Sequence, residues 1–270
     1  MRIKDKVAII TGSTRGIGRE AARLFGMEGA TVIVNGRSLK QGQEVVKEII
    51  SNGGKASFFA ADVTKKDQVK DMVNNVIDEF KRIDILYNNA GHFYLEPPLH
   101  QLEEEKWDQI YNVNLKSIFL CSKYVIPFMI RNRGGSIINT SSVQGKVGYK
   151  DLSGYNTAKA GIINLTRSMA VSYAHEKIRV NCICPGPIYN QAYKNTTICD
   201  NPDLELKHWQ GVIPLGRLGH RIDVARLALF LASDESTYIT GEYITIDGGL
   251  TAKAWTPWDT EKTDMVKFSE

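Results

Sequence analysis

Seven short apolar runs, separated by stretches of helical periodicity, constrain this chain more than any other feature. The runs are KVAIIT (6–11), ATVIVN (30–35), KASFFAAD (55–62), RIDILYNNAG (82–91), GSIINTSS (135–142), IRVNCICPG (178–186) and GEYITIDGG (241–249). They are rich in β-branched residues and too short for helices. Between them, apolar residues recur at helical spacing over 16–28, 38–52, 65–80, 103–131, 155–174 and 223–233. Strands alternating with helices pair in parallel, because each return crossover carries a helix. Such a sheet is covered on both faces, which explains strands that are apolar without a polar side. Right-handed crossovers make the arrangement doubly wound. The expectation is an α/β chain: one Rossmann domain over 1–250 with a seven-stranded parallel sheet and helices on both faces, then a tail over 251–270. Ser38 is placed to cap 38–52, and Thr64 to cap 65–80.

Composition removes several functions. The 270 residues are 43% hydrophobic and 24% charged, ordinary for a globular domain. The net charge of +4 is dispersed rather than gathered in a stripe, so no nucleic-acid partner is expected. No unbroken apolar run approaches about 18 residues, so no membrane span is expected. The opening MRIKDKVAIITG lacks a signal-peptide pattern. Cys121, Cys182, Cys184 and Cys199 form no CxxC pair, and the five histidines show no metal-ligand spacing. Free buried thiols in a reducing cytoplasm are expected, with no metal.

The first run leads into TGSTRGIG (11–18), which opens a helix. Gly12 permits a sharp turn, and Gly16 and Gly18 let backbone approach a ligand. The helix N-terminus then presents free N–H groups and partial positive charge to a pyrophosphate. Gly12, Thr14, Arg15, Gly16, Ile17 and Gly18 are the candidate residues of this cradle. The spacing is G-x-x-x-G-x-G rather than G-x-G-x-x-G. At the end of the second run, where an NAD site usually places Asp or Glu, the sequence reads Asn35, Gly36, Arg37. Nothing there repels a 2′-phosphate, and Arg37 with Arg15 supplies cations for one. NADP is the expected cofactor, with NAD as the alternative.

SGYNTAKAG (153–161) puts Tyr155 and Lys159 four apart, hence on one helix face. That spacing alone fits a solvated surface as well as a proton-transfer pair. Its neighbours in sequence decide. TGSTRGIG, DV (62–63), NNAG (88–91), NVNL (112–115), NTSS (139–142), YNTAK (155–159) and PG (185–186) occur in this order over residues 5–250. In this the chain resembles the short-chain dehydrogenase/reductase family.

The resemblance implies a tetrad of Asn114, Ser142, Tyr155 and Lys159. Ser142 is selected over Ser141 because it stands thirteen residues before Tyr155, the usual family spacing. The resemblance further implies that Asp62 and Val63 hold the adenine. Asn89, Ala90 and Gly91 would line the adenosine ribose and the floor of the site, and Pro185, Gly186 and Ile188 would border the nicotinamide. Asn190 stands where the family often has Thr. The implied reaction is hydride transfer between nicotinamide and a secondary alcohol or carbonyl. Tyrosine has a reference pKa of about 10, so it needs an ammonium such as Lys159 close by to act as a base at neutral pH. Tyr155 is then general base in oxidation and acid in reduction. Ser142 would steady the substrate oxygen, and Asn114 would anchor a water linking Lys159 to solvent.

The substrate pocket is expected from 92–98, 144–152 and the long loop within 185–222. The candidate lining is His92, Phe93, Gln144, Lys146, Tyr149, Asn190, Tyr193 and Trp209. This mixture suits a small hydroxylated substrate such as a sugar or polyol. The alternative is a 3-oxoacyl thioester on a carrier protein, for which Arg131 and Arg133 are the nearby cations. A catalytically idle nucleotide-binding regulator is the reading from another class, and the complete tetrad argues against it. Trp255 and Trp258 in the tail are expected to pack against the same subunit or across an interface. The resemblance implies a homotetramer.

Overall fold

The computed structural model describes residues 1–189 and 202–253, without the side chains of 202–206. Asn190, Tyr193, Cys199, Trp255 and Trp258 lie outside the described residues. The first half of the chain runs β1 (Val7–Ile10), α1 (Gly16–Met27), β2 (Thr31–Gly36), α2 (Leu39–Ser51), β3 (Lys55–Ala60), α3 (Lys66–Phe80) and β4 (Ile85–Asn88). The second half runs α4 (Glu104–Tyr111), α5 (Ser117–Arg131), β5 (Gly135–Thr140), α6 (Ser153–Tyr173), β6 (Ile178–Pro185), α7 (Pro202–Val212), α8 (Arg221–Ala232) and β7 (Tyr243–Ile246).

The seven strands form one parallel sheet in the order β3-β2-β1-β4-β5-β6-β7. β1 shows why its run is apolar at every position. Ala8 and Ile10 pack with Phe25, Val224, Ala228 and Leu229 on one side of the sheet. Val7 and Ile9 pack with Val73, Val76, Val125 and Met129 on the other. Both sides of the strand are therefore dry, and each buried isoleucine contributes roughly 1.5–3 kcal/mol. The chain winds outward from β1 in both directions, towards β2 and towards β4. Their connections part there and leave a crevice at the carboxyl ends of these strands.

Ser38 caps α2 as expected, accepting from the Gln41 N–H. Thr64 does not cap α3. Its N–H and hydroxyl both donate to Asp62 Oδ1 (2.9 and 2.8 Å), and Lys65 takes the N-cap position without a side-chain bond. Thr64 thus sits one residue ahead of the N-cap, in a local turn closed by Asp62.

The stretch 103–131 is interrupted. α4 passes into α5 through a π-turn over Asn112–Lys116. The Asn114 amide donates to the Ile110 carbonyl there (3.0 Å), taking a place the regular ladder would have filled. The rod Glu104–Arg131 is long and apolar enough to cross a bilayer by length and composition, although polar residues interrupt it and no unbroken apolar run reaches that length. Half of its most apolar window is buried inside the fold, where Leu120, Val125 and Met129 meet the sheet. The connection 185–222 is not all loop, for it carries α7.

Candidate active site

The turn between β1 and α1 is a cradle with no room for side chains. A Cβ on Gly12 would stand 2.9 Å from the Ala90 Cα, and Gly12 has φ +63°. A Cβ on Gly18 would stand 2.4 Å from Asn89 Nδ2 and 2.6 Å from the Gly12 carbonyl. Above Gly16 the space is open to 4 Å. Arg15, at the N-cap of α1, makes no side-chain cap bond, and the first turn holds no acid. The first N–H groups of α1 are thus left to a ligand, and the helix end favours an anion. These features fit the pyrophosphate of a dinucleotide.

Asn89 is also engaged within the fold. Its Nδ2 donates to the Thr11 and Gly12 carbonyls (3.0 and 3.3 Å), so its amide braces the turn. Thr11 completes the brace, its hydroxyl accepting from the Asn89 and Ala90 N–H groups (3.0 Å each). Gly36 lets Thr14 approach the end of β2, since a Cβ there would stand 2.5 Å from Thr14 Cγ2. Asn35 turns inward, its Nδ2 donating to the carbonyls of Phe59 and Ala61 (3.2 Å each).

Arg15 and Arg37 are exposed at this end. Burial pushes the Asp62 carboxyl up, but hydrogen bonds from Thr64 and the charges of Arg37 and Lys65 outweigh it and hold it below its ordinary value. Arg37 is therefore within electrostatic reach of Asp62. Val63 is buried beside it. His92 lies in the same field. Burial first, then Arg15, Lys106 and Arg37, hold its imidazole below the usual range. That places His92 towards the nucleotide end, with its ring edge-on to Tyr94 at 4.3 Å between centroids.

The tetrad converges where β5 meets α6. Tyr155 and Lys159 stand one turn apart on α6, and the Lys159 Nζ is 5.4 Å from the Tyr155 ring centroid. The Ser142 hydroxyl stands near enough to the Tyr155 phenol to pull its ionisation down, and it accepts from the Gln144 N–H at 3.2 Å. Ser141 is used elsewhere: its hydroxyl donates to the Lys159 carbonyl (2.7 Å) and pins α6 to β5. A Cβ on Gly91 would stand 3.0 Å from Asn114 Oδ1 and 3.4 Å from Lys159 Nζ, so Gly91 brings both within reach of the crevice.

Burial pushes the Tyr155 phenol up to about 12, against the pull of Ser142. Burial likewise pushes the Lys159 ammonium down to about 8, and that ammonium donates to the Thr140 carbonyl (3.0 Å). The lowering of Tyr155 by Lys159 foreseen from sequence is thus not present in the protein alone. The ammonium's hydrogen bond goes to β5, while it stands 5.4 Å from the Tyr155 ring centroid.

Asn114 is fully buried, and its amide hydrogens go to the His92 and Ile110 carbonyls (3.0 Å each). Its Oδ1 accepts the His92 N–H (3.1 Å) and keeps one lone pair, the only side-chain position left for a water.

Of the expected substrate lining, Gln144 follows Ser142 in a short 3₁₀ turn, and Tyr149 is half-buried with its phenol pushed up by burial and by Asp247. Phe93 packs edge-on to Tyr155, 5.4 Å between centroids. Lys146 donates to Thr245 Oγ1 (2.8 Å) on β7. Trp209 sits on α7, 6.0 Å from His208. Pro185 ends β6, Gly186 donates to the Ile246 carbonyl, and Ile188 pairs with Gly219. Sequence reasoning missed Thr11, Ser141 and Glu96. Each acts through backbone groups far away in sequence, and no local spacing announces that.

The profile of a family described as enoyl-(acyl carrier protein) reductase matches residues 12–251. The uncharacterized oxidoreductase YxbG of Bacillus subtilis is 44% identical over 259 residues, 94% of this chain and 94% of its own length. The 3-oxoacyl-(acyl-carrier-protein) reductase FabG of Thermotoga maritima is 42% identical, over 93% of this chain and 99% of its own. Among solved structures, a proposed gluconate dehydrogenase from Agrobacterium tumefaciens superposes with a TM-score of 0.88 at 29% identity, covering 93% of this chain and 98% of that one.

Proposed function

Because this chain belongs to the short-chain dehydrogenase/reductase family and is an oxidoreductase acting on CH–OH or carbonyl groups, we propose that it uses NADP and that Tyr155 is its acid/base. The observation that carries this reading is the Lys159 ammonium standing 5.4 Å from the Tyr155 ring and beside Gly91, with Ser142 close enough to pull on the phenol. When bound, the nicotinamide supplies or accepts the hydride. Tyr155 gives its proton to the substrate oxygen in reduction and removes it in oxidation. Ser142 donates to that oxygen and fixes its position. Lys159 presents a cation to the cofactor ribose hydroxyls and to the phenolate, and the free lone pair of Asn114 holds a water leading to solvent. Gly12, Thr14, Gly16, Ile17 and Gly18 receive the pyrophosphate. Asp62 and Val63 border the adenine, and Ala90, Gly91, Pro185, Gly186 and Ile188 border the remainder of the dinucleotide.

NADP rests on Arg37 and Arg15 standing exposed where no carboxylate ends β2. Replacing Arg37 by Ala should raise the KM for NADPH by roughly 10- to 100-fold, the value of one lost two-point guanidinium–phosphate contact, and barely move that for NADH. Steady-state kinetics with both nucleotides checks this, and a wild-type preference for NADH ends the proposal.

The substrate class we favour is a small hydroxylated compound, a sugar, sugar acid or polyol. The polar Gln144 next to Ser142 and the half-buried Tyr149 phenol support it, as does the fold match to the proposed gluconate dehydrogenase. The second reading, a 3-oxoacyl thioester, is supported by the likeness to FabG of Thermotoga maritima. A turnover screen of gluconate, polyols and a 3-oxoacyl thioester decides between them. Turnover of any of these excludes the idle-regulator reading. A homotetramer and a cytoplasmic location complete the proposal. Phe119 on α5 and Val171 on α6 are exposed and apolar, and the described Cys121, Cys182 and Cys184 are buried and free.

A further inference from the structure

α6 begins without a cap of its own. Leu152 holds the N-cap position and makes no side-chain bond, although Ser153 follows immediately. The first-turn donors are satisfied from a distant loop instead. Glu96 Oε2 accepts the Gly154 N–H (2.7 Å) and Glu96 Oε1 accepts the Tyr155 N–H (2.8 Å). Glu96 is 8% exposed, so its carboxylate has been withdrawn from water to do this. The positive end of a 21-residue helix compensates for that withdrawal.

The segment carrying Glu96 is fastened to the tetrad at both ends. At one end, the His92 N–H and carbonyl are both bonded by the Asn114 side chain (3.1 and 3.0 Å). At the other, Glu96 holds the backbone of Tyr155. Between them the Phe93 ring rests edge-on against the Tyr155 ring. Gly154 has no room to relax the arrangement. A Cβ there would stand 3.1 Å from Ile110 Cδ1 and 3.2 Å from Glu96 Oε2. Helix stability alone would be served by a hydroxyl or amide next door in sequence. A carboxylate from residue 96 does something a local cap does not. It fixes where the helix starts relative to the floor of the crevice, and Tyr155 is the third residue of that helix.

We propose that Glu96 is a positioning residue that sets the place of the Tyr155 phenol against Ser142 and Lys159. It does so by gripping the first turn of α6 from the strap 92–96. This rests on Tyr155 being the acid/base. Glu96 touches no reacting atom, because both of its oxygens are spent on backbone N–H groups. It acts through Tyr155. Without the grip, the first turn of α6 frays and the phenol samples positions out of reach of the substrate oxygen. Geometry errors of this kind cost roughly 100-fold in rate per ångström.

The test uses the full chain with Glu96→Ala, Glu96→Gln and Glu96→Asp, and Tyr155→Phe as the floor. Hydrogen exchange of the amides at 154–156 is measured first, because it needs no substrate. Exchange should accelerate by roughly 10-fold or more in Glu96→Ala and less in Glu96→Gln, which keeps one acceptor oxygen. Turnover is then measured with NADPH and 2,3-butanedione, an activated dicarbonyl. In Glu96→Ala, kcat should fall by roughly 10- to 100-fold, with KM for the dicarbonyl and Kd for NADPH within about 2-fold. Glu96→Asp, one methylene shorter, should recover part of kcat. If Glu96→Ala does not fold, Glu96→Gln carries the comparison alone. Unchanged exchange at 154–156, or a wild-type kcat in Glu96→Ala, overturns the proposal. So does a loss of kcat matched by a loss of NADPH affinity, which marks general damage to the site. Activity in Tyr155→Phe refutes the acid/base assignment instead, and the exchange arm still decides whether Glu96 grips α6.

Discussion

Tyr155→Phe should lower kcat by roughly 1000-fold while leaving NADPH affinity within about 2-fold, the loss expected when a positioned general acid is deleted. The substitution removes one oxygen and changes little else. The Phe93 contact is to the ring, which remains. The Tyr155 N–H that Glu96 accepts is backbone, which also remains. Ser142 keeps the Gln144 N–H. A large kinetic effect with intact nucleotide binding therefore reports the proton and not the fold. Fluorescence titration of NADPH and single-turnover kinetics separate the two, and residual activity within 10-fold of wild type would end the assignment.

Burial holds the phenol up to about 12, so in the protein alone Tyr155 is protonated throughout the neutral range. As an acid it needs no titration. As a base it must first be deprotonated, at a cost that shrinks as pH rises. The wild-type oxidation rate should climb with pH between 7 and 9, while reduction changes far less, and Tyr155→Phe should abolish the climb.

The sheet was readable because its physics is local. Seven apolar runs with helical spacers permit few arrangements, and Val7 to Ile10 announce in four letters a strand that is dry on both faces. The order of motifs carried the family resemblance, and the resemblance implied the tetrad; the four-residue spacing of Tyr155 and Lys159 alone does not distinguish a site from a solvated helix face. What escaped were bonds made by backbone to distant side chains. Asn89 reads as a ligand contact in the sequence, and the fold also spends its Nδ2 on Thr11 and Gly12. Thr64 reads as a helix cap, yet Asp62 takes its donors. Glu96 lies in the stretch 92–98 expected to build the substrate pocket, and only the tertiary fold brings it to α6. Local propensity predicts which polar groups need partners. It does not say which partner wins when a remote one is closer.

Lys159→Met should lose most of the activity and yet change stability in a direction opposite to that of most core substitutions. Lys159 is 4% exposed, and burial pushes its ammonium down to about 8 from an ordinary 10.5. Between these values the unfolded chain binds the proton more tightly than the folded one. Stability of the wild type should therefore rise as pH climbs from about 8 to 10.5, and the burden of the buried charge is greatest below 8. A shift of this size corresponds to about 3 kcal/mol. Methionine fills a similar volume without a charge, so at pH 7 the variant is relieved of that burden. It also leaves the Thr140 carbonyl without the Lys159 donor, which returns about 1–2 kcal/mol. The net expectation at pH 7 is a variant more stable by about 1–2 kcal/mol, or several degrees in Tm. The dependence on pH is the sharper readout, because the lost hydrogen bond does not titrate. Tyr155 titrates in both proteins and largely cancels in the difference; Cys184, held down first by Cys182 and in part by Lys159, does not, so the comparison is repeated in a Cys184→Ser background. Urea unfolding of both proteins at pH 7, 8, 9 and 10 should show the variant's advantage shrinking and then reversing as Lys159 sheds its proton in the wild type. An advantage that does not change with pH would mean that Lys159 is not buried as a charge. Its place beside Tyr155 would then have to be explained without an ammonium.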